Sequence, residues 1–216
     1  MVGIIYDNKV YKEKDAMVSL YTKIGDKKYF VNSGSLVSSK IHRFVQELTK
    51  VRYEEVKGRI VFKNIINDYY YIRSHKDALF ISYKILIFVK TFGEHVKSKE
   101  TFYNFLDYTL ALIEQKVDPK IVYHMFLIKL TYLLGIEPDF RKCSYCEVKE
   151  TTNFIKDAFE FSCRKCGGSS EEFTTFKKLY LLKKGELTRF VKENKTKDIV
   201  EEYLKKIYKE LLNYSI

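Results

Sequence analysis

Residues 44–71 read FVQELTKVRYEEVKGRIVFKNIINDYYY. Two runs rich in Val, Ile, Phe and Tyr, 44–56 and 59–71, meet at Lys57-Gly58, and a glycine-containing dipeptide between such runs signals a tight hairpin. That hairpin sets how the rest of the N-terminal third is parsed. Upstream, VGIIYDNKVY (2–11) alternates apolar and polar side chains, AMVSLYTK (16–23) is β-branched and aromatic, and Gly25-Asp26 marks a turn before KKYFVN (27–32). Five short strands with glycine turns in the first 72 residues predict a small barrel or sandwich, with Greek-key and meander order left open.

The texture changes at Arg73. Ser74-His75-Lys76-Asp77 predicts a capping-box start, with Ser at the cap and an acid three residues later, for an apolar helix over 75–95. A second helix is expected over 99–115. Asp118-Pro119 then reads as N-cap and first position of a third, KIVYHMFLIKLTYLL, which Gly135 ends. This third helix is apolar on most faces and is expected at the centre of a bundle, with His124 a satisfied core residue rather than a ligand. EEFTTFKKLYLLKK (171–184) and DIVEEYLKKIYKELL (198–212) predict two C-terminal helices packing back on that bundle.

All four cysteines fall in RKCSYCEVKETTNFIKDAFEFSCRKCGG (141–168), as two Cys-x-x-Cys pairs. Cys143, Cys146, Cys163 and Cys166 have the spacing of a zinc ribbon, in which two knuckles complete a tetrahedron of thiolates about 2.3 Å from one ion. Four thiolates leave no open position for water or substrate, so the expected ion is structural and contributes on the order of 10 kcal/mol to folding its segment. Disulfides and an iron–sulfur cluster are the alternatives. The N-terminus lacks the apolar core of a signal peptide, and ALFISYKILIFVKTF (78–92) is interrupted by Lys84 and Lys90 and falls short of the ~20 residues of a membrane span. A cytoplasmic protein is expected, with its thiols reduced.

The 39 Lys+Arg against 28 Asp+Glu give a net charge of +11, and residues 1–80 hold 15 of the basic and 9 of the acidic residues. Polyanions are the natural partners of such an excess, with solubility charge alone as the plainer reading. Walker-type and dinucleotide-binding glycine loops, His-Glu-x-x-His and Gly-x-Ser-x-Gly are missing, and the four histidines are scattered. No enzyme is expected.

Three stretches resemble the RecO family of bacterial DNA repair and recombination mediator proteins. In YKEKDAMVSLYTKIG the matching positions are Tyr11, Glu13, Asp15, Val18, Thr22 and Gly25. In Gly34 with SKIHRFVQEL they are Lys40, His42 and Gln46. In LLGIEPDFRKC they are Leu134, Gly135, Pro138, Phe140 and Cys143, leading into the cysteine motif. The resemblance implies an α+β chain with an N-terminal OB-fold β-barrel over 1–72. An α-helical bundle over 73–140, an inserted four-cysteine zinc module over 141–170 and C-terminal helices over 171–216 would follow. It also implies binding of single- and double-stranded DNA and annealing of complementary strands. With RecR, such a protein helps load RecA onto DNA coated by single-stranded-DNA-binding protein, whose acidic C-terminal tail is a further partner.

Within the β region the phosphate contacts expected are Lys27, Lys28, Lys40, Arg43, Lys50 and Arg52. Stacking surfaces are expected from Tyr29, Phe30 or the Tyr69-Tyr70-Tyr71 run, as OB-folds join a basic groove to aromatic platforms. Zinc would fix the angle between bundle and C-terminal helices. Two other classes compete: a transcription-factor-like zinc-ribbon binder of duplex DNA with sequence preference, and an enzyme with an unrecognised magnesium-dependent site.

Overall fold

The hairpin forms where the sequence sets it. Thr49–Val56 (β4) and Arg59–Asn67 (β5) pair antiparallel with Val56 opposite Arg59. Lys57 and Gly58 both take positive φ, 51° and 73°, the two left-handed positions of the turn whose twist matches the strands it joins. The computed structural model describes residues 1–135, 141–146, 148–149, 151–155, 160–171 and 173–174. These fall in two compact units, 1–120 and 121–216.

In the first unit Val2–Tyr11 (β1), Asp15–Thr22 (β2) and Gly25–Val31 (β3) form an antiparallel meander, and β4 then crosses to the far side of β1. The five strands run β3-β2-β1-β4-β5. The two outer strands, β3 and β5, lie against each other along a seam without ladder hydrogen bonds. Ile5, Val18, Leu20, Tyr29, Val31, Val51 and Tyr53 fill the enclosed side, with Phe44, Ile60 and Phe62 packed at its margin. The β2–β3 turn falls at Lys23-Ile24, so Gly25 opens β3 rather than making the turn. Thr22 closes that turn, its hydroxyl donating to the Gly25 carbonyl at 2.8 Å.

Residues 44–48 do not join the strand that follows them. His42–Phe44 forms a 3-10 turn and Leu48 takes φ 57°. The carbonyls of Glu47 and Leu48 accept from the Arg73 guanidinium instead of from a ladder.

Tyr70–Ser74 (α1), Lys76–Phe92 (α2) and Lys99–Glu114 (α3) follow. Ser74 is not the cap expected of it. Its hydroxyl donates back to the Tyr70 and Tyr71 carbonyls, and His75 stands at the N-cap of α2 without a side-chain cap bond. Ser98 does cap α3, accepting from the Thr101 amide. Helix α2 lies against β1, and α3 lies against β2 and β3. Residues 3–6 and 18–22 are therefore buried without a break, because those strands face the barrel core on one side and helices on the other. At the junction the Tyr21 ring meets Phe102 edge-on at 5.1 Å, and its hydroxyl donates to the Gly93 carbonyl at 2.8 Å. Only glycine fits there, since a Cβ at residue 93 would stand 2.7 Å from Tyr21 Cε2.

Pro119–Leu134 (α4) begins at Pro119 with the Asp118 carboxylate accepting from the Lys120 amide, and ends just before Gly135. Its Val122, Met125, Phe126 and Leu130 are buried. In the second unit, Asn153–Ile155 (β6) and Glu160–Ser162 (β7) form a small antiparallel ribbon beside the cysteines. The C-terminal helices expected across 171–216 fall, apart from Glu171, Phe173 and Thr174, outside the described residues, as do Pro138 and Phe140. No helix among the described residues is long and apolar enough to cross a membrane.

Candidate nucleic-acid interface and cysteine cluster

The β3–β5 seam opens as a groove of about 500 Å³ lined by Phe30, Ile41, Phe44, Arg59, Val61 and Phe62. Phe44 and Phe62 stack with ring centroids 5.5 Å apart and planes 18° from parallel. The Arg43 guanidinium lies 4.9 Å from the Phe44 centroid, a cation–π contact. Phe30 is 43% exposed and meets Tyr11 edge-on at 5.5 Å. Lys40, Arg43, Lys57 and Arg59 are exposed nearby on the elements that form the groove, and no carboxylate pairs with any of them among the described residues.

The segment carrying Lys40 and Arg43 is held by residues that match the family pattern. Asp15 accepts from the Ser33 amide at 2.8 Å. One His42 nitrogen, Nδ1, faces the Gly34 carbonyl at 3.0 Å, and the other, Nε2, faces Gln46 Nε2 at 3.0 Å. The network assigns the proton to Nδ1, so that His42 donates to Gly34 and accepts from Gln46.

The residues expected to touch nucleic acid divide. Phe30, Lys40 and Arg43 gather at the groove, and Arg52 is exposed on β4. Lys27 is half-buried on β3, and Lys28 stands 3.5 Å from Asp26. Tyr29 is a correction: its ring points into the barrel, 6% exposed, and its hydroxyl donates to Glu55 at 2.9 Å. Tyr29 and Phe30 are neighbours on a strand, so only one of them can face outward. Lys50 lies apart from the groove, its ammonium 2.8 Å from the Asp107 carboxylate of α3. The tyrosine run is no continuous platform: Tyr69 is buried, Tyr70 is exposed, and Tyr71 stacks on His75 at 3.9 Å. Phe44, Phe62, Lys57 and Arg59 were not anticipated. Arg59 and Phe62 stand in a run that names a strand but not which face each takes, Arg59 being exposed and Phe62 packed on the core margin, and Phe44 lies in a segment read as strand.

In the second unit the Sγ atoms of Cys143, Cys146, Cys163 and Cys166 all lie within 4.8 Å of one another. Cys146, Cys163 and Cys166 are mutually 3.6 Å apart. Sulfurs bound tetrahedrally at about 2.3 Å to one ion would sit about 3.8 Å apart, and no cysteine is in a disulfide. The four thiols could therefore hold one metal ion. Burial pushes the Cys143 thiol up, but the amides of Cys163, Tyr145 and Cys146 overcome it and bring it down to about 6. Hydrogen bonding to Cys163 and Cys146 pushes Cys166 up to about 12. Backbone amides thus favour a thiolate at Cys143. The ribbon holds the knuckles in place. Ser144 N–H donates to the Phe161 carbonyl at 2.9 Å, and Asn153 Nδ2 donates to the Gly167 and Gly168 carbonyls at 3.2 and 3.1 Å.

The molecule so described is an α+β protein with a cation-bordered aromatic groove on a five-stranded sheet and a separate tetrathiol cluster. The family model described as Recombination protein O C terminal matches residues 90–213, more than half of the chain, and the chain belongs to the RecO family. Proteins named DNA repair protein RecO from Streptococcus pyogenes serotypes M49, M3 and M1 are 25% identical to it over 150 residues, 67% of this chain. The chain spans 59% of the length of these curated relatives.

Proposed function

We propose that this chain is a DNA-binding recombination mediator of DNA repair without enzymatic activity, working in the cytoplasm. The sheet is an OB-fold: followed around the seam, its strands run β1-β2-β3-β5-β4, the order of a partly open five-stranded barrel. The observation that carries the reading is that the exposed Phe30 and the half-buried Phe44 and Phe62 line one groove of that barrel together with Arg59, while Lys40, Arg43 and Lys57 stand exposed next in sequence to lining residues, all four cations without acid partners among the described residues. Cations meet phosphates and rings meet bases, so binding is sequence-tolerant and weakened by salt.

The metal is zinc, held by Cys143, Cys146, Cys163 and Cys166; when bound, it supplies a rigid four-point link and no open coordination position. Bound to single and double strands, the chain anneals complementary DNA. With RecR it assists RecA loading on DNA coated by single-stranded-DNA-binding protein, taking that protein's acidic tail as a partner.

The test is annealing of complementary oligonucleotides coated with their binding protein, without nucleotide. Annealing should proceed, and Lys40→Glu with Arg43→Glu should flatten the slope of log affinity against log salt by about 2 on duplex DNA. A strong preference among unrelated duplexes would favour a sequence-specific binder and sink this reading. Magnesium-dependent turnover of the strands would do the same.

A further inference from the structure

We propose that the outer face of α2 is a seam for a second copy of this chain, the two α2 helices packing antiparallel. The inference goes beyond the nucleic-acid reading and does not depend on it.

Helix α2 is apolar on both sides. Ala78, Ile81, Ile85, Leu86 and Val89 are buried, as a helix lying against β1 requires. A solvent face should be charged, yet Phe80, Tyr83 and Ile87 stand 60%, 40% and 52% exposed there. Single exposed apolar residues are ordinary, but these three form a row. With Lys76, Lys90 and Glu94 they recur at alternating spacings of four and three residues, the period of a seam between two helices. The row is apolar in its middle and charged at its ends, with Lys76 at the start of α2 and Glu94 just past its last turn.

Such a row complements itself when it is reversed. In an antiparallel pair Tyr83 meets the partner's Ile87, Phe80 meets the partner's Lys90, and Lys76 meets the partner's Glu94. The two-fold axis makes each contact twice. Lys76 pairs with no acid among the described residues, and Glu94 keeps most of its side chain exposed beside Lys99. Lys90, 3.1 Å from Asp7, can lie over the partner's ring as Lys84 already lies over Phe80, 4.6 Å from its centroid. A parallel pair would set Lys76 against Lys76 and Glu94 against Glu94. An acidic foreign helix would gain the lysines but oppose Glu94.

The middle strand of the order β3-β2-β1-β4-β5 is β1, so α2 covers the flank farthest from the β3–β5 seam. Pairing through α2 therefore leaves the groove of each copy open. A contact one helix wide buries less than the roughly 800 Å² per partner of a standard interface, and two chains of net charge +11 repel. The dimer is weak and forms as concentration rises.

Sedimentation velocity of the full chain, without nucleic acid and with a thiol reductant, tests this at about 0.15 M salt, where long-range repulsion is screened. Between about 1 µM and about 500 µM wild type should pass from monomer toward dimer. Phe80→Lys and Ile87→Lys, both at exposed positions, should keep the wild-type melting temperature and weaken pairing at least about tenfold, because each change enters the seam twice. Lys76→Glu should weaken pairing by a smaller factor, and adding Glu94→Lys should restore it. Monomer mass across the whole range would overturn the seam. So would a dimer that persists in both lysine variants, or a double charge exchange that restores nothing. Binding of an acidic amphipathic peptide to this face without any self-association would give it to another partner and overturn the proposal as well. Strand affinity of the dilute monomer reads the proposed function separately.

Discussion

The cysteine cluster and the β3–β5 groove place their chemistry in opposite ways. In the cluster four identical donors converge within 4.8 Å, and each one removed leaves the set incomplete. In the groove, rings and cations from β3, the segment before β4 and the β4–β5 hairpin are spread along a surface, and in the function proposed each adds a small increment. A site built by convergence fails all at once. A site built by accumulation fails by degrees, which is the property a sequence-tolerant polyanion surface needs.

The largest expected effect tests the first half of that contrast. Cys146→Ser should abolish stoichiometric metal content and remove on the order of 10 kcal/mol from the folding of its segment. Metal analysis and limited proteolysis would show both losses, with duplex affinity preserved. Loss of affinity at an unchanged melting temperature would make the cluster part of the nucleic-acid surface, and the contrast would break.

A smaller effect separates the groove from the scaffold behind it. Gly93→Val would drive a side chain toward the Val89 carbonyl, 2.5 Å from the Cβ position, and toward the Tyr21 ring. Overpacking of that kind costs about 1–3 kcal/mol, read as a lower melting temperature with the salt slope of DNA binding unchanged.

The sequence discloses the two sites unequally for the same reason. Two Cys-x-x-Cys pairs state their geometry locally, and the strands, the Lys57-Gly58 turn and the start of α4 at Pro119 are equally local signals. A groove made where β3 meets β5 has no local signature. Alternation shows that Tyr29 and Phe30 point opposite ways, yet which one faces water depends on where β5 closes. Lys50 likewise looks free until Asp107, 57 residues later, is placed beside it. The capping-box match at Ser74 omits the alternative that its hydroxyl takes, the Tyr70 and Tyr71 carbonyls of α1.

Lys50 and Arg52, on one strand, sharpen this distinction. Lys50→Gln should cost about 1–3 kcal/mol by leaving a half-buried Asp107 carboxylate without its cation, with little change in salt slope. Arg52 is exposed and pairs with no acid among the described residues, so Arg52→Gln should leave stability within about 0.5 kcal/mol. If Arg52 meets a phosphate, the slope on duplex falls by about 1. Reversed results would mean that the helix-covered flank of the sheet, and not its bare one, meets the polyanion.

The smallest effect concerns acid. Glu94 accepts from the Asp26 amide at 2.9 Å and lies 3.4 Å from Lys99 Nζ, tying the start of β3 to the segment between α2 and α3. The Asp26 amide, and Lys99 after it, hold the Glu94 carboxyl below its ordinary value, against a smaller opposing effect of burial. A carboxyl lowered by folding binds fewer protons folded than unfolded, so its contribution is complete above the ordinary value near 4.5 and fades as pH falls through the lowered one. Glu94→Gln should therefore be less stable than wild type at neutral pH by about 0.2–1 kcal/mol, a modest figure because the carboxylate is largely exposed. The two proteins should converge in acid, as denaturant titrations at neutral pH and near pH 3 would show. A difference that persisted undiminished at low pH would assign the contact to shape rather than charge, and Glu94 would join Gly93 and Tyr21 as packing that fixes the sheet against its helices.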